Sequence, residues 1–130
     1  MRDIELIAHA REMTRRAYAP YSGYRVGAAL LGINGKVYTG CNIESASYGA
    51  TICAERAAIA NAFSDGCQRF IRAAVISDKN EICTPCGICR QLLYEFSEHL
   101  MVLCCSADGK VKEYSIEELL PDGFGNDNMK

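Results

Sequence analysis

The sequence predicts an α/β fold in three layers, with helices on both faces of a mixed central sheet of about five strands. Two observations carry this prediction. Two strand-type runs before residue 45 flank an Asn-Gly turn, which is typical of an antiparallel hairpin. From Phe70 onward a strand, an amphipathic helix and a second strand follow in order, which is typical of a parallel pair joined by a crossover. At 130 residues the chain is expected to form one domain, 1–130.

The N-terminal part is predicted to contain a helix followed by the hairpin. Apolar residues recur at helical spacing, and Pro20 disfavours helix in the residue before it, so the first helix is predicted over about 3–18. The hairpin strands are predicted over about 24–32 and 36–44, with Ile33-Asn34-Gly35 as the turn.

The rest of the chain alternates between helix and strand patterns. The alanine-rich stretch 53–64 predicts a second helix, and Gly66 stands where a helix end would place it. The later elements are predicted as a strand in "FIRAAVISD", a helix in "GICRQLLYEFSEH", a strand in "LMVLCCSAD", a strand in "KVKEYSI" and a short helix in "IEELLP".

Composition favours a small-molecule partner. The chain has 14 Lys and Arg against 16 Asp and Glu, whereas proteins that bind nucleic-acid backbones normally carry a basic surface. No apolar run approaches the roughly 18 residues of a membrane span. The first residues lack the apolar stretch of a secretory signal, so we expect a cytoplasmic protein. The eight cysteines are then predicted to be metal ligands and buried free thiols rather than disulfides.

Three of these cysteines stand at predicted helix starts. Cys53 opens the second helix, while Cys86 and Cys89 are spaced i and i+3 at the start of the third and share a face. The free N–H groups and the dipole of a helix N-terminus favour thiolate, so the three thiols predict a metal site. Three protein ligands leave the fourth tetrahedral position of Zn²⁺ open for water, which indicates a catalytic zinc, with Glu55 beside that water.

Cys-Ala-Glu followed by Pro-Cys-x-x-Cys matches the pattern of zinc deaminases. The chain resembles the cytidine deaminases, in their small homotetrameric form with three cysteine ligands, over nearly its whole length. The segments that carry the resemblance are "AYAPYSGYRVGAALL", "GCNIESASYG", "CAERAAI", "PCGICRQ" and "EELLPDGFG". The resemblance implies the cytidine-deaminase fold and hydrolytic deamination of cytidine and 2′-deoxycytidine to the uridines, with release of ammonia.

The residue chemistry suits this reaction. Zinc lowers the pKa of a bound water to near neutral, which supplies hydroxide for attack on pyrimidine C4. Glu55, which is not a ligand, can take the proton of the water, deliver it to ring N3 and later pass one to the leaving amine. Zinc with three thiolates and a hydroxide would carry a net negative charge. By resemblance, Arg56 offsets this charge by donating hydrogen bonds to the ligand sulfurs.

The remaining site residues are assigned by resemblance. Asn42 and Glu44, predicted to alternate on one face of a strand, hold the ribose. Tyr24 stands where the family commonly has phenylalanine against the pyrimidine. The backbone N–H of Ala54 and the carbonyl of Thr84 form hydrogen bonds with the base.

The resemblance also implies a homotetramer with active sites shared between chains. Phe124 resembles a tail aromatic that completes the pocket of a neighbouring subunit, and Tyr48 is expected to reach across as well. An aromatic residue in a polar, Gly-rich tail has little local pattern that would bury it in its own core, which favours a partner surface.

Other interpretations stay open at this point. Cys83 in "CTPCGIC" resembles part of an iron–sulfur pattern, but Leu93 stands where the fourth cysteine would fall. As a fourth thiolate on zinc, Cys83 would make a structural module and leave Glu55 without a role. The same zinc chemistry could act on another amino-heterocycle, such as an aminopyrimidine antibiotic or a base in nucleic acid. Asn42 and Glu44 could be ordinary exposed polar residues of a strand.

Overall fold

The structure, a computed structural model, describes residues 1–125. The elements in chain order are α1 (Asp3–Thr14), β1 (Val26–Gly32), β2 (Val37–Cys41), a 3₁₀ turn (Tyr48–Ala50), α2 (Ala54–Ser64), β3 (Phe70–Ser77), α3 (Gly87–Phe96), β4 (Met101–Cys105), β5 (Val111–Ser115) and α4 (Ile116–Leu119). Within these residues no helix is both long and apolar enough to cross a membrane.

The five strands form one mixed sheet in the order β2-β1-β3-β4-β5. β3 and β4 pair in parallel, as the crossover through α3 predicts, and the other neighbours pair antiparallel. The hairpin turn contains Gly35 at a φ of 83°, a conformation that glycine adopts without strain. The predicted mixed sheet is confirmed.

The two faces of the sheet bury separate cores. Side chains alternate between the faces, so that Ala29 packs with Leu6 and Ala10 of α1, while Ala28 and Leu30 pack on the side of α2 and α3. The predicted helices on both faces, and therefore the three layers, are confirmed.

Two glycines let the helices approach the sheet closely. A β-carbon on Gly27 would collide with the carbonyl oxygen of Ala10 in α1. A β-carbon on Gly40 would lie 2.5 Å from the backbone nitrogen of Ala58 in α2, which is closer than real β-carbons approach. The position of α2 over β2 therefore depends on the missing side chain at Gly40.

The first helix is shorter than the predicted range of 3–18. The backbone N–H groups of residues 15–17 donate to carbonyls three residues back, which closes the helix in a tightened turn. Tyr18 then pairs with another segment, since its N–H donates to the Asn42 carbonyl at 3.0 Å and its carbonyl accepts from the Glu44 N–H at 2.8 Å. Because the backbone of Tyr18 is bonded to this distant segment, the helix ends earlier than its apolar pattern predicts.

The second hairpin strand is also shorter than predicted, because β2 ends at Cys41. Residues 42–44 leave the regular ladder, and Ile43 forms isolated bridges with Tyr18 and with Ile52. Asn42 and Glu44 therefore lie on an irregular extended segment rather than on a strand, and the prediction of a strand over 36–44 is wrong at that end.

Candidate active site

Three thiols converge where α2 and α3 begin. Cys53 directly precedes α2, Cys86 directly precedes α3, and Cys89 lies in the first turn of α3. The sulfur of Cys86 lies 3.6 Å from that of Cys53 and 3.6 Å from that of Cys89, and all three sulfurs lie within 4.8 Å of one another. The cluster found among residues 1–125 does not include Cys83.

The donor set fits Zn²⁺. Zinc–sulfur bonds of about 2.3 Å in a tetrahedron put the sulfurs about 3.8 Å apart, close to the 3.6 Å observed. Hydrogen bonding from the Cys89 thiol, then from Cys86, holds the pKa of Cys53 well below its usual value, while the pKa of Cys89 is raised mainly by its hydrogen bond to Cys53. Three thiols this close lose all their protons only with a cation among them.

Arg56 lies beside the cluster. Its Nη2 donates to the carbonyl of Thr51 at 2.8 Å. Its charge and hydrogen bonding add to the lowering of the pKa of Cys53, so the guanidinium lies beside that sulfur. Its Nε is buried without a hydrogen-bond partner among residues 1–125. A half-buried arginine therefore lies next to the cluster, and the charge-balancing role that the resemblance implies for it stays a prediction.

Glu55 is buried beside the same cluster, with only 5% of its surface exposed. Burial, with a smaller contribution from the charge of Cys53, raises the pKa of its carboxyl to about 7. The carboxylate also interacts with the Cys89 thiol and with its own backbone N–H. A carboxyl group in this position can hold or release a proton near neutral pH.

A cavity of about 260 Å³ opens over the cysteines and Glu55. Its volume is slightly below the roughly 300–1,000 Å³ typical of pockets for drug-sized ligands, which suits a smaller ligand such as a nucleoside. The predicted site residues on its wall are Tyr24, Asn42, Glu44, Cys53, Ala54, Glu55, Thr84 and Cys86. Residues that the sequence did not single out also line it, among them Val26 and Ile52.

The Asn42 side chain joins the cavity wall to the segment before β1. Its Oδ1 accepts from the Val26 N–H at 2.9 Å, and its Nδ2 donates to the Tyr24 carbonyl at 2.8 Å. The amide is therefore held in one orientation, with one N–H of the side chain still available to a ligand.

The Glu44 carboxylate is bound by a neighbouring turn. Its Oε1 accepts from the backbone N–H groups of Tyr21 at 2.9 Å and of Ser22 at 3.1 Å, and its Oε2 accepts from the Ser22 hydroxyl. The Ser22 bonds are the main cause that lowers the pKa of Glu44, which keeps it an anion. Sequence reasoning missed Ser22, whose only signal is a serine beside a glycine in a turn-type segment.

Tyr24 and Cys83 lie together on the cavity wall. Burial, followed by hydrogen bonding with Cys83, raises the pKa of Tyr24 to about 12. Burial likewise raises the pKa of the Cys83 thiol to about 11, so this thiol stays protonated. Cys83 thus contacts the tyrosine hydroxyl instead of joining the metal cluster.

Tyr48 and Phe124 lie outside the cavity of their own chain. Tyr48 is 79% exposed and makes an edge contact with Tyr21, at 6.4 Å between ring centroids. Phe124 is 51% exposed, and its carbonyl accepts from Gln91 Nε2 at 2.7 Å. The shared-site role of both aromatics stays a prediction.

Known proteins resemble this chain over almost its full length. A family model described as the cytidine and deoxycytidylate deaminase zinc-binding region matches residues 1–105. A cytidine deaminase of Sporosarcina psychrophila is 42% identical over 129 residues, which cover 98% of this chain and 95% of that protein. A probable cytidine deaminase of Dictyostelium discoideum is 43% identical over 121 residues, covering 92% and 82%.

Solved structures agree with these sequence matches. The crystal structure of a cytidine deaminase from Burkholderia pseudomallei matches with a TM-score of 0.91 at 42% identity, over 95% of this chain and 100% of that one. That from Mycobacterium tuberculosis matches with a TM-score of 0.83 at 38% identity, over 96% and 99%. The predicted fold is confirmed, and the chain belongs to the cytidine and deoxycytidylate deaminase family.

Proposed function

We propose that the protein hydrolyses cytidine and 2′-deoxycytidine to uridine and 2′-deoxyuridine, with release of one ammonia for each water consumed. The observation that carries the proposal is the position of Glu55, buried directly beside three converging thiols in a cavity of nucleoside size. A structural zinc module has no use for a buried carboxyl group at that position.

Cys53, Cys86 and Cys89 would hold zinc, which when bound acidifies a water at its open position and so makes a nucleophile available at neutral pH. Glu55 accepts one proton of the attacking water and transfers it to ring N3; it then takes the remaining proton from the hydroxyl now on C4 and passes it to the departing amine, as the C4–N bond breaks and the C4 carbonyl forms. Because its carboxyl group is buried, bulk water does not compete for these protons. Arg56 offsets the negative charge of the thiolates.

The cavity wall orients the nucleoside. The N–H of Ala54, in the first turn of α2, has no partner within its helix and is available to an acceptor on the base. Thr84 and Tyr24 line the cavity. In the proposed complex the Thr84 carbonyl accepts from the exocyclic amine, and the ring of Tyr24 packs against the pyrimidine. Asn42 and Glu44 bind the sugar hydroxyls.

We further propose a cytoplasmic protein of one domain, 1–130, that assembles as a homotetramer. Exposed apolar side chains support the assembly. Tyr18 and Ile43 are joined by an isolated bridge, Tyr21 and Tyr48 are in edge contact, and all four are exposed in the single chain. A second copy would cover this surface. Sedimentation of the purified protein tests the assembly, and an active monomer would contradict it.

A mixing experiment tests whether Phe124 acts on a neighbouring site. In tetramers that combine Glu55→Gln subunits with Phe124→Ala subunits, some active sites receive Glu55 from a Phe124→Ala subunit and Phe124 from a neighbouring Glu55→Gln subunit. We expect these mixtures to recover activity above that of either variant alone. No recovery, with confirmed subunit exchange, would place the role of Phe124 within its own chain.

An ultraviolet assay of the zinc-loaded protein tests the activity itself. Cytidine, deoxycytidine, cytosine and a cytosine-containing oligonucleotide are compared under the same conditions. We expect turnover of the two nucleosides, much less with the free base, because Asn42 and Glu44 then have no sugar to bind, and none with the oligonucleotide. A preference for another amino-heterocycle would overturn the substrate assignment, and zinc binding without any turnover would favour a structural role.

A further inference from the structure

Ser22 connects the two sides of the cavity wall. Its hydroxyl donates to Glu44 Oε2 and accepts from the backbone N–H of Tyr24 at 3.0 Å. Its own N–H donates to Glu44 Oε1 at 3.1 Å. One small side chain is therefore bonded both to the carboxylate at the sugar end of the cavity and to the residue that carries the aromatic wall.

These bonds leave the Glu44 carboxylate little freedom. An ionised carboxylate offers about four lone-pair sites. Three are taken by the Tyr21 N–H, the Ser22 N–H and the Ser22 hydroxyl, which fixes both the rotation of the group and the site left for a ligand. Without the hydroxyl of Ser22, Oε2 would have no partner in this turn and the group could rotate about its last side-chain bond.

We propose that Ser22 is a positioning residue for sugar recognition, which holds the Glu44 carboxylate in the orientation that accepts a sugar hydroxyl. The inference rests on the proposed function. The ligand class is a free pentose hydroxyl of a nucleoside, because an anionic carboxylate accepts hydrogen bonds and repels a phosphate ester.

A purely structural role makes a different prediction. The bond from the Tyr24 N–H to the Ser22 hydroxyl closes a small turn around Gly23, which has a φ of 67°. If Ser22 only stabilised this turn, its loss would lower the melting temperature and disturb Tyr24 whatever the state of Glu44. If Ser22 acts through Glu44, its effect depends on that carboxylate.

The experiment measures KM and kcat for cytidine in zinc-loaded Ser22→Ala, Ser22→Thr and the control Ser64→Ala, which removes an exposed hydroxyl at the last residue of α2. We expect Ser22→Ala to raise KM about tenfold, the size of one lost hydrogen bond to a charged group, with kcat changed less than about threefold. Ser22→Thr, which keeps the hydroxyl, should restore KM, and the control should match the wild type.

A double-mutant cycle with Glu44→Gln separates the two roles. Coupled residues give non-additive effects, so Ser22→Ala should raise KM far less in the Glu44→Gln background than in the wild type. An unchanged KM in Ser22→Ala, additive effects in the cycle, or a loss confined to kcat would overturn the inference. Failure of the proposed function shows separately, because the zinc-loaded wild type would then not deaminate cytidine at all.

Discussion

Gly40 of β2 and Ala54 of α2 lie in direct backbone contact, with no room for a side chain between them. A β-carbon at Gly40 would meet the carbonyl oxygen of Ala54 and would lie 2.5 Å from the backbone nitrogen of Ala58. Ala54 stands between Cys53 and Glu55, so the same contact that packs the helix on the sheet also fixes the positions of Cys53 and Glu55 relative to the sheet.

Gly40→Ala is therefore expected to damage both the fold and the site. The clash is with backbone, which cannot move aside as a flexible side chain can, so we expect a loss at or above the usual 1–3 kcal/mol of an overpacked core. Thermal unfolding and zinc content measure the two effects. Gly49→Ala is the matched control, because a β-carbon there would meet nothing within 4 Å. Equal melting temperatures for the two variants would contradict the contact.

The sequence predicted the chemistry of the site better than its shape. Cys53, Cys86 and Cys89 could be assigned because the neighbouring residues show that each lies at the start of a helix. The structure brings their sulfurs together. The hydrogen bonds between Ser22 and Glu44 link residues 22 positions apart, and no local pattern specifies such a contact. The end of α1 was missed for the same reason, since Tyr18 pairs with a segment more than 20 residues away.

Cys86→Ala is expected to abolish tight zinc binding. It removes one of the three ligands, and because Cys86 is the exposed one of the three, little of the core is disturbed. Metal analysis after gel filtration should give about one zinc per chain for the wild type and much less for the variant. Cys41→Ser, a half-buried thiol outside the cluster, is the control. If Cys86→Ala kept the zinc content of the wild type, the metal site would have to be formed by other residues.

Glu55→Gln should keep zinc and fold but lose most of the turnover. The substitution preserves shape and removes the proton acceptor, and positioned general acid–base groups contribute about 10²–10⁴-fold to rates. Steady-state kinetics at matched zinc content measure the loss, with the exposed Glu95→Gln of α3 as the control. A variant that retains a rate near that of the wild type would remove Glu55 from the mechanism.

Arg56→Gln should weaken zinc retention rather than proton transfer. The guanidinium helps to hold Cys53 as a thiolate, and the neutral amide would leave the charge of three thiolates less well balanced. We expect zinc to pass to a competing chelator several-fold faster than from the wild type. Arg15→Gln, an exposed arginine beyond the end of α1, should not change the rate. If both variants released zinc at the same rate, Arg56 would have no role in zinc retention, and its bond to the Thr51 carbonyl would remain as its structural contribution.

The last prediction concerns the size and charge of the substrate. A polynucleotide deaminase must bind many phosphates, whereas this chain carries 14 basic against 16 acidic residues and an anionic Glu44 at the cavity wall. We expect activity on cytidine and deoxycytidine, little on their monophosphates and none on single-stranded DNA or RNA.

Glu44→Gln should narrow the gap in kcat/KM between a nucleoside and its monophosphate, because the amide accepts fewer hydrogen bonds from the sugar and no longer repels the phosphate. The ratio of kcat/KM values for the two substrates measures the gap, with Glu95→Gln as the control. A wild-type enzyme that prefers the phosphorylated substrate would overturn the nucleoside assignment and leave the zinc chemistry intact.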